Sequence, residues 1–139
     1  MTFEEFKTII TEKFPDVTPQ QMEQFQKMDA LYRDWNSKIN VVSRKDIDEL
    51  YRHHVLHSLG IAAYLKSRMP DIYDRMRGEG PYALSEPLKI LDLGTGGGFP
   101  GIPLAVLPAA DAGNIAQHAA QRIDGAVLRA YGAADGLHG

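Results

Sequence analysis

Apolar positions in the first part of the chain recur at helical spacing. Phe3, Phe6, Ile9, Ile10 and Phe14 fall on one helical face. Thr2 and Glu5, three residues apart, form the pattern of a capping box, and Pro15 stops the run. A second helix start follows, with Thr18 as cap, Pro19 at the first helical position and Gln21 at the third. Met22, Phe25, Met28, Leu31, Tyr32 and Trp35 continue the apolar stripe and read as core packing. The period breaks over residues 36–42. Ser43 and Asp46 can open a third helix that turns Ile47, Leu50, Tyr51, Val55 and Leu59 inward. Residues 58–69 either continue this helix or begin a short fourth, and Pro70 is expected to end it. The mixed stretch 71–87, with Gly78, Gly80 and Pro81 close together, reads as a connector.

The pattern then changes. Residues 89–93, KILDL, form a short apolar run between Pro87 and Gly94, which suits a buried strand. A glycine loop follows over 94–98, and an apolar helix is expected from Pro100 or Gly101 to Val106. Helices followed by strand, glycine loop and helix are the opening of an α/β nucleotide-binding sheet. The expected organisation is a helical region 1–70, a connector 71–87, the first strand, loop and helix of an α/β domain over 88–107, and an atypical tail 108–139. Residues 109–139 hold ten alanines and five glycines but no lysine, glutamate or phenylalanine. Ile115 and residues 126–129 are the weak candidates for a second strand there, whereas a parallel sheet needs several strands.

The segment ILDLGTGGGFPGIPLAV carries the chemistry. Glycine permits positive φ and close approach of backbone to a ligand. The amides of such a turn, with the start of the next helix, favour an anionic group, which in S-adenosylmethionine is the methionine carboxylate. Asp92 stands two residues before the first glycine, at the carboxyl end of the expected strand, where ligands of open α/β sheets bind. It could accept a hydrogen bond from the cofactor's ammonium, directly or through water. The bland reading is a tight strand-to-helix turn with no ligand, against which stand four glycines in five positions, Gly94, Gly96, Gly97 and Gly98. Gly96, Gly98 and Gly101 also satisfy the G-x-G-x-x-G spacing of a dinucleotide site, weak on its own. An NAD site would want an acidic residue about 20 positions on. Asp111 is near that distance with no visible strand leading to it, and Pro100 and Pro103 are awkward in the helix that fingerprint requires.

Composition narrows the picture further. A formal net charge of -3 gives no global basic field, although a local patch can serve RNA. The absence of cysteine excludes disulfides and thiolate metal sites. The acidic, amphipathic start MTFEEFKTII is unlike a signal peptide, and no apolar stretch approaches the roughly 20 residues of a membrane span, so a cytoplasmic protein is expected.

With WNSKINVVS and RHHVLHSLG upstream, the loop LDLGTGGGFPGIPLAV resembles the RsmG family, also called GidB, over residues 1–107. The resemblance implies a Rossmann-like, S-adenosylmethionine-dependent methyltransferase that forms 7-methylguanosine in 16S ribosomal RNA of the small subunit, and a monomer. It places cofactor contacts on Gly94 and Phe99, with Gly96 and Gly98 shaping the loop that also holds Thr95. Asn36, Asn40, Arg52, His53 and Ser58 match the upstream pattern and would border the cleft. His57 stands where many relatives carry aspartate. Relatives continue with a second strand ending in an acidic residue for the cofactor ribose, which 108–139 lacks, and the change of composition after Leu107 suggests a truncated or frame-shifted product.

No catalytic residue is assigned. Guanine N7 has a free lone pair, so transfer needs placement rather than a strong base. Lys38, Arg44, Lys45 and Arg52, with Trp35 and Tyr51 nearby, are candidates to meet RNA, the bland reading of each being a solvated helix face. His53 and His57 would share a helix face as zinc ligands can, but no glutamate stands between them and no third ligand is evident, so no metal is expected. Ser58 follows His57 without a G-x-S-x-G. The competing readings are an inactive fragment or binding module of the same ancestry, and an NAD-binding protein.

Overall fold

The structure, a computed structural model, describes residues 1–81, 88, 90–93 and 96–107. Helix α1, Phe3–Lys13, opens on the expected capping box: Thr2 Oγ1 accepts from the Glu5 amide at 3.2 Å, and the Glu5 carboxylate accepts from the Thr2 amide at 2.7 Å. Helix α2, Pro19–Lys38, repeats the device with Thr18 and Gln21. Each box satisfies two of the N–H groups that a helix start leaves without partners. α2 runs three residues beyond Trp35, supported by the Lys38–Asp34 ion pair one turn back.

The third helical path is not one α-helix. A 3-10 turn, Ile47–Glu49, leads into a π-helical segment, Leu50–Leu56, and then α3, His57–Arg68. Leu50 and Val55 are both buried five residues apart, a spacing that the wider π turn brings to one face. Pro70 ends α3 as expected, and it also starts a further helix. α4, Pro70–Arg77, occupies the beginning of the stretch read as a connector, with Pro70 in the first turn and Gly78 at φ 74° as its left-handed cap. Proline suits a first helical turn, where its missing N–H would have had no intrahelical partner. α4 buries Tyr73 and Met76, and Tyr73 stacks on Phe14 with ring centroids 6.3 Å apart.

The core lies where α1, α2 and the π segment meet. Phe6 contacts Phe25 edge-on at 5.4 Å and stacks on Tyr51 at 5.0 Å. Tyr51, a sequence candidate for stacking on RNA, is therefore unavailable: it is buried, and its hydroxyl donates to the carbonyls of Phe25 and Gln26. Leu31 is exposed, because the buried line of α2 runs through Gln21, Phe25, Met28 and Tyr32. Full burial of each large apolar side chain contributes roughly 1.5–3 kcal/mol.

Helix α5, Gly101–Val106, packs against α3 and α2 and buries Pro103 and Leu104. Pro103 is less awkward than its sequence context indicated. It is the third residue of α5, where the N–H it lacks would have had no intrahelical acceptor. The expected strand is not found among the described residues: 90–93 form neither strand nor helix, and Ile90, Leu91 and Leu93 are 55%, 80% and 82% exposed. A strand cannot satisfy its own backbone, and no second strand stands beside this run among the described residues. The described part of the molecule is helical, and none of its helices is long and apolar enough to cross a membrane. Lys89, Gly94, Thr95, the weak strand candidates and the tail 108–139 lie outside the described residues.

Candidate functional site

The glycine loop rests on the C-terminal end of α2. Tyr32 and Asn36, four residues apart, share the face of α2 that meets it. The Tyr32 hydroxyl donates to the Gly97 carbonyl, and its ring stacks on Phe99 with centroids 4.9 Å apart. Tyr32 is buried, which pushes its phenol well above the ordinary value, so it remains a neutral donor. The Asn36 side chain makes three bonds to the chain just beyond α2. Its Oδ1 accepts from the amides of Val41 and Val42 at 3.0 and 2.9 Å, and its Nδ2 donates to the Val42 carbonyl at 2.9 Å. This fixes the Val41 carbonyl against the loop: a Cβ on Gly97 would stand 2.7 Å from that oxygen.

Two loop glycines have left-handed backbones, Gly96 at φ 56° and Gly98 at φ 89°. Gly98 is buried, and a Cβ there would meet Ile102 Cδ1 at 2.4 Å. Gly96 is exposed, with no heavy atom within 4 Å of where a Cβ would stand. Gly98 thus answers to packing, while Gly96 leaves its backbone open to an approaching ligand.

Asp92 is half-buried, and its Oδ2 accepts from the Gly101 amide at 3.0 Å, satisfying a donor in the first turn of α5. Its other oxygen retains acceptor capacity for an ammonium group. Asp92, Gly96, Gly98 and Phe99 are thus gathered around the start of α5, while Gly94 and Thr95 fall outside the described residues.

The upstream residues divide. His54, carried on the π segment, has its ring 5.0 Å from that of Phe99. Its Nε2 is buried without a hydrogen-bond partner, and burial lowers its pKa below the ordinary value. Ser58 is buried and donates to the His54 carbonyl. Asn40, His53 and Arg52 are exposed; His53 meets Asp46 at 3.2 Å and Arg52 lies 3.7 Å from Glu49. Among the described residues, no group of three or more histidines or carboxylates could hold a metal ion. Sequence patterning did not single out Tyr32 or His54 for the site, and it marked Gly97 only as one of the loop glycines. The signal for Tyr32 was a hydroxyl inside an apolar stripe, one turn before the Asn of WNSKINVVS.

An open groove of about 390 Å³ is lined by Arg33, Asn36, Ser37, Arg44 and Ile47. Arg33 is held by Asp29 and Asp48 at 3.0 and 2.9 Å. Lys38 pairs with Asp34 at 2.8 Å and lies 5.4 Å from the Trp35 ring centroid. Arg44 and Lys45 are exposed.

The model of a family described as GidB, rRNA small subunit methyltransferase G, matches residues 20–124, from within α2 into the tail. Among similar proteins are those named Ribosomal RNA small subunit methyltransferase G. The one from Bacteroides thetaiotaomicron is 52% identical over 99 residues, covering 71% of this chain and 40% of the relative. That of Flavobacterium psychrophilum is 55% identical over 98 residues, covering 70% and 39%. That of Porphyromonas gingivalis is 52% identical over 99 residues, covering 71% and 37%. The chain thus matches about two-fifths of the length of these curated relatives. No solved structure matches it. A glycine loop seated on α2, a family model spanning most of the chain and half-identical relatives lead to one conclusion: the chain belongs to the rRNA small subunit methyltransferase G (GidB) family.

Proposed function

We propose that this chain supplies the helical region and cofactor loop of an S-adenosylmethionine-dependent methyltransferase that forms 7-methylguanosine in 16S ribosomal RNA. The observation that carries this reading is the open, left-handed backbone of exposed Gly96, in a loop that leads into a helix start bonded by Asp92. The residues fit the amino-acid end of the methyl donor: backbone amides of the loop for its carboxylate, and the second carboxylate oxygen of Asp92 for its ammonium. Gly94, Thr95, Gly96, Gly98 and Phe99 would complete the seat.

The bound donor would supply an electrophilic methyl group. The chain's own part is to place and to shield. Guanine N7 carries a free lone pair, so no side chain has to remove a proton, and rate comes from alignment. Arg44 and Lys45 are exposed cations available to RNA phosphates, and Arg44 shares the groove with Asn36 and Ser37 at this end of α2. The apolar run 89–93 would pair as the first strand of a Rossmann-like sheet once further strands stand alongside it. A soluble, cytoplasmic monomer is part of the same reading.

Calorimetric titration of the chain with S-adenosylmethionine, and separately with NAD, tests the assignment. Saturable binding of the methyl donor alone supports it. Binding of NAD instead would transfer the loop to the dinucleotide reading, and binding of neither would leave an inactive module of the same ancestry.

A further inference from the structure

We propose that Tyr32 and Asn36 are positioning residues for the glycine loop, so that the end of α2 sets the shape of the methyl-donor seat. The inference rests on the cofactor-loop reading above and adds to it the part of the chain that fixes the loop. Three contacts argue for it. The Tyr32 hydroxyl donates to the Gly97 carbonyl, holding that peptide in one orientation. The Tyr32 ring stacks on Phe99, two residues further along the loop. Asn36 fixes the backbone of Val41 and Val42, and the Val41 carbonyl stands where only glycine fits at position 97.

The geometry explains why these two positions on α2 differ from their neighbours. Phe25 and Met28 lie on the same buried line and carry no polar atom able to meet the loop. Tyr32 and Asn36 are the polar members where α2 reaches the loop, and each directs its hydrogen bonds to backbone outside α2. Backbone is what a loop that binds through its amides must have fixed. A seat built from amides loses affinity when its peptides can rotate, because the ligand must then order them on binding.

The test uses the full chain and two readouts. Tyr32→Phe keeps the ring on Phe99 and removes only the hydroxyl; Asn36→Ala removes all three bonds, whereas Asn36→Asp keeps the acceptor for the Val41 and Val42 amides. Amide hydrogen exchange without ligand is followed at Ile102, whose N–H donates to the Gly98 carbonyl at 2.7 Å, and at Ile10 in the core as a reference. Tyr32→Phe and Asn36→Ala are expected to speed exchange at Ile102 about tenfold with little change at Ile10, and to weaken S-adenosylmethionine binding about tenfold, the scale of one lost hydrogen bond that leaves a partner unsatisfied. Asn36→Asp is expected to recover part of both effects. Gly97→Ala should resemble Tyr32→Phe, and combining the two should cost less than the product of the single effects.

Wild-type exchange at Ile102 in both Tyr32→Phe and Asn36→Ala would overturn the proposal, as would equal acceleration at Ile102 and Ile10, which marks general destabilisation. If the unmodified chain binds no methyl donor, the methyltransferase reading fails, while the exchange measurements still decide whether Tyr32 and Asn36 hold the loop.

Discussion

The core around Phe6 and the run 90–93 are both rich in apolar residues, yet one is closed from water and the other open to it. Phe6, Ile10, Phe25 and Val55 are fully buried, while Leu91 and Leu93 stand in solvent. The difference lies in where each segment finds its hydrogen bonds. α1 and α2 satisfy their backbones internally and start on capping boxes, so their apolar faces are free to close on one another and on the π segment. The run before the glycine loop needs a neighbouring strand before its side chains have a surface to cover them. Apolar composition thus states a tendency to be buried, and the hydrogen-bonding plan decides whether the chain can act on it.

The contrast can be broken or sharpened by measurement. Phe6→Ala should cost about 3–5 kcal/mol, because it empties the junction of α1, α2 and the π segment; a denaturant midpoint near wild type would show that the core is elsewhere. Gly98→Ala should cost about 1–3 kcal/mol by adding a Cβ at φ 89° close to Ile102. The same substitution at exposed Gly96 meets no neighbour and should cost less, so comparing the two separates backbone strain from packing.

His54 gives a smaller, pH-dependent effect. Burial lowers its folded pKa below the unfolded value of about 6.5, so the unfolded chain binds the extra proton first. Its influence is absent well above pH 6.5, and stability falls as pH drops from there through the folded pKa. His54→Phe should flatten this slope in a series of thermal melts between about pH 7.5 and about pH 5, and identical slopes would remove His54 as the cause. Smallest of all, Leu91→Gln should change stability by less than about 0.5 kcal/mol, as expected of a side chain that touches little. A large loss there would place residues 90–93 inside the core after all.

Much of the helical part was legible in the order of residues. Both capping boxes, the stops at Pro15 and Pro70 and the inward set Leu50, Tyr51, Val55 and Leu59 follow from local spacing, and local spacing is what forms helices. The helix at Pro70–Arg77 was hidden by its length and by the glycines after it. The π turn was hidden because one extra residue per turn leaves little trace in an apolar pattern. At the candidate site, the glycines and Asp92 could be read from their spacing, whereas Tyr32 looked like any other member of a core stripe.

The sequence by itself determined α1 and α2, their capped starts and the glycines of the loop, since capping, periodicity and backbone freedom depend on residues within a turn or two of one another. Only tertiary structure decided that Tyr32 and Asn36 support the loop, that Tyr51 is spent on the core and that Asp92 bonds the first turn of α5. Tyr32 and Gly97 lie 65 positions apart, and no periodicity spans that separation; packing of α5 against α2 brings them together.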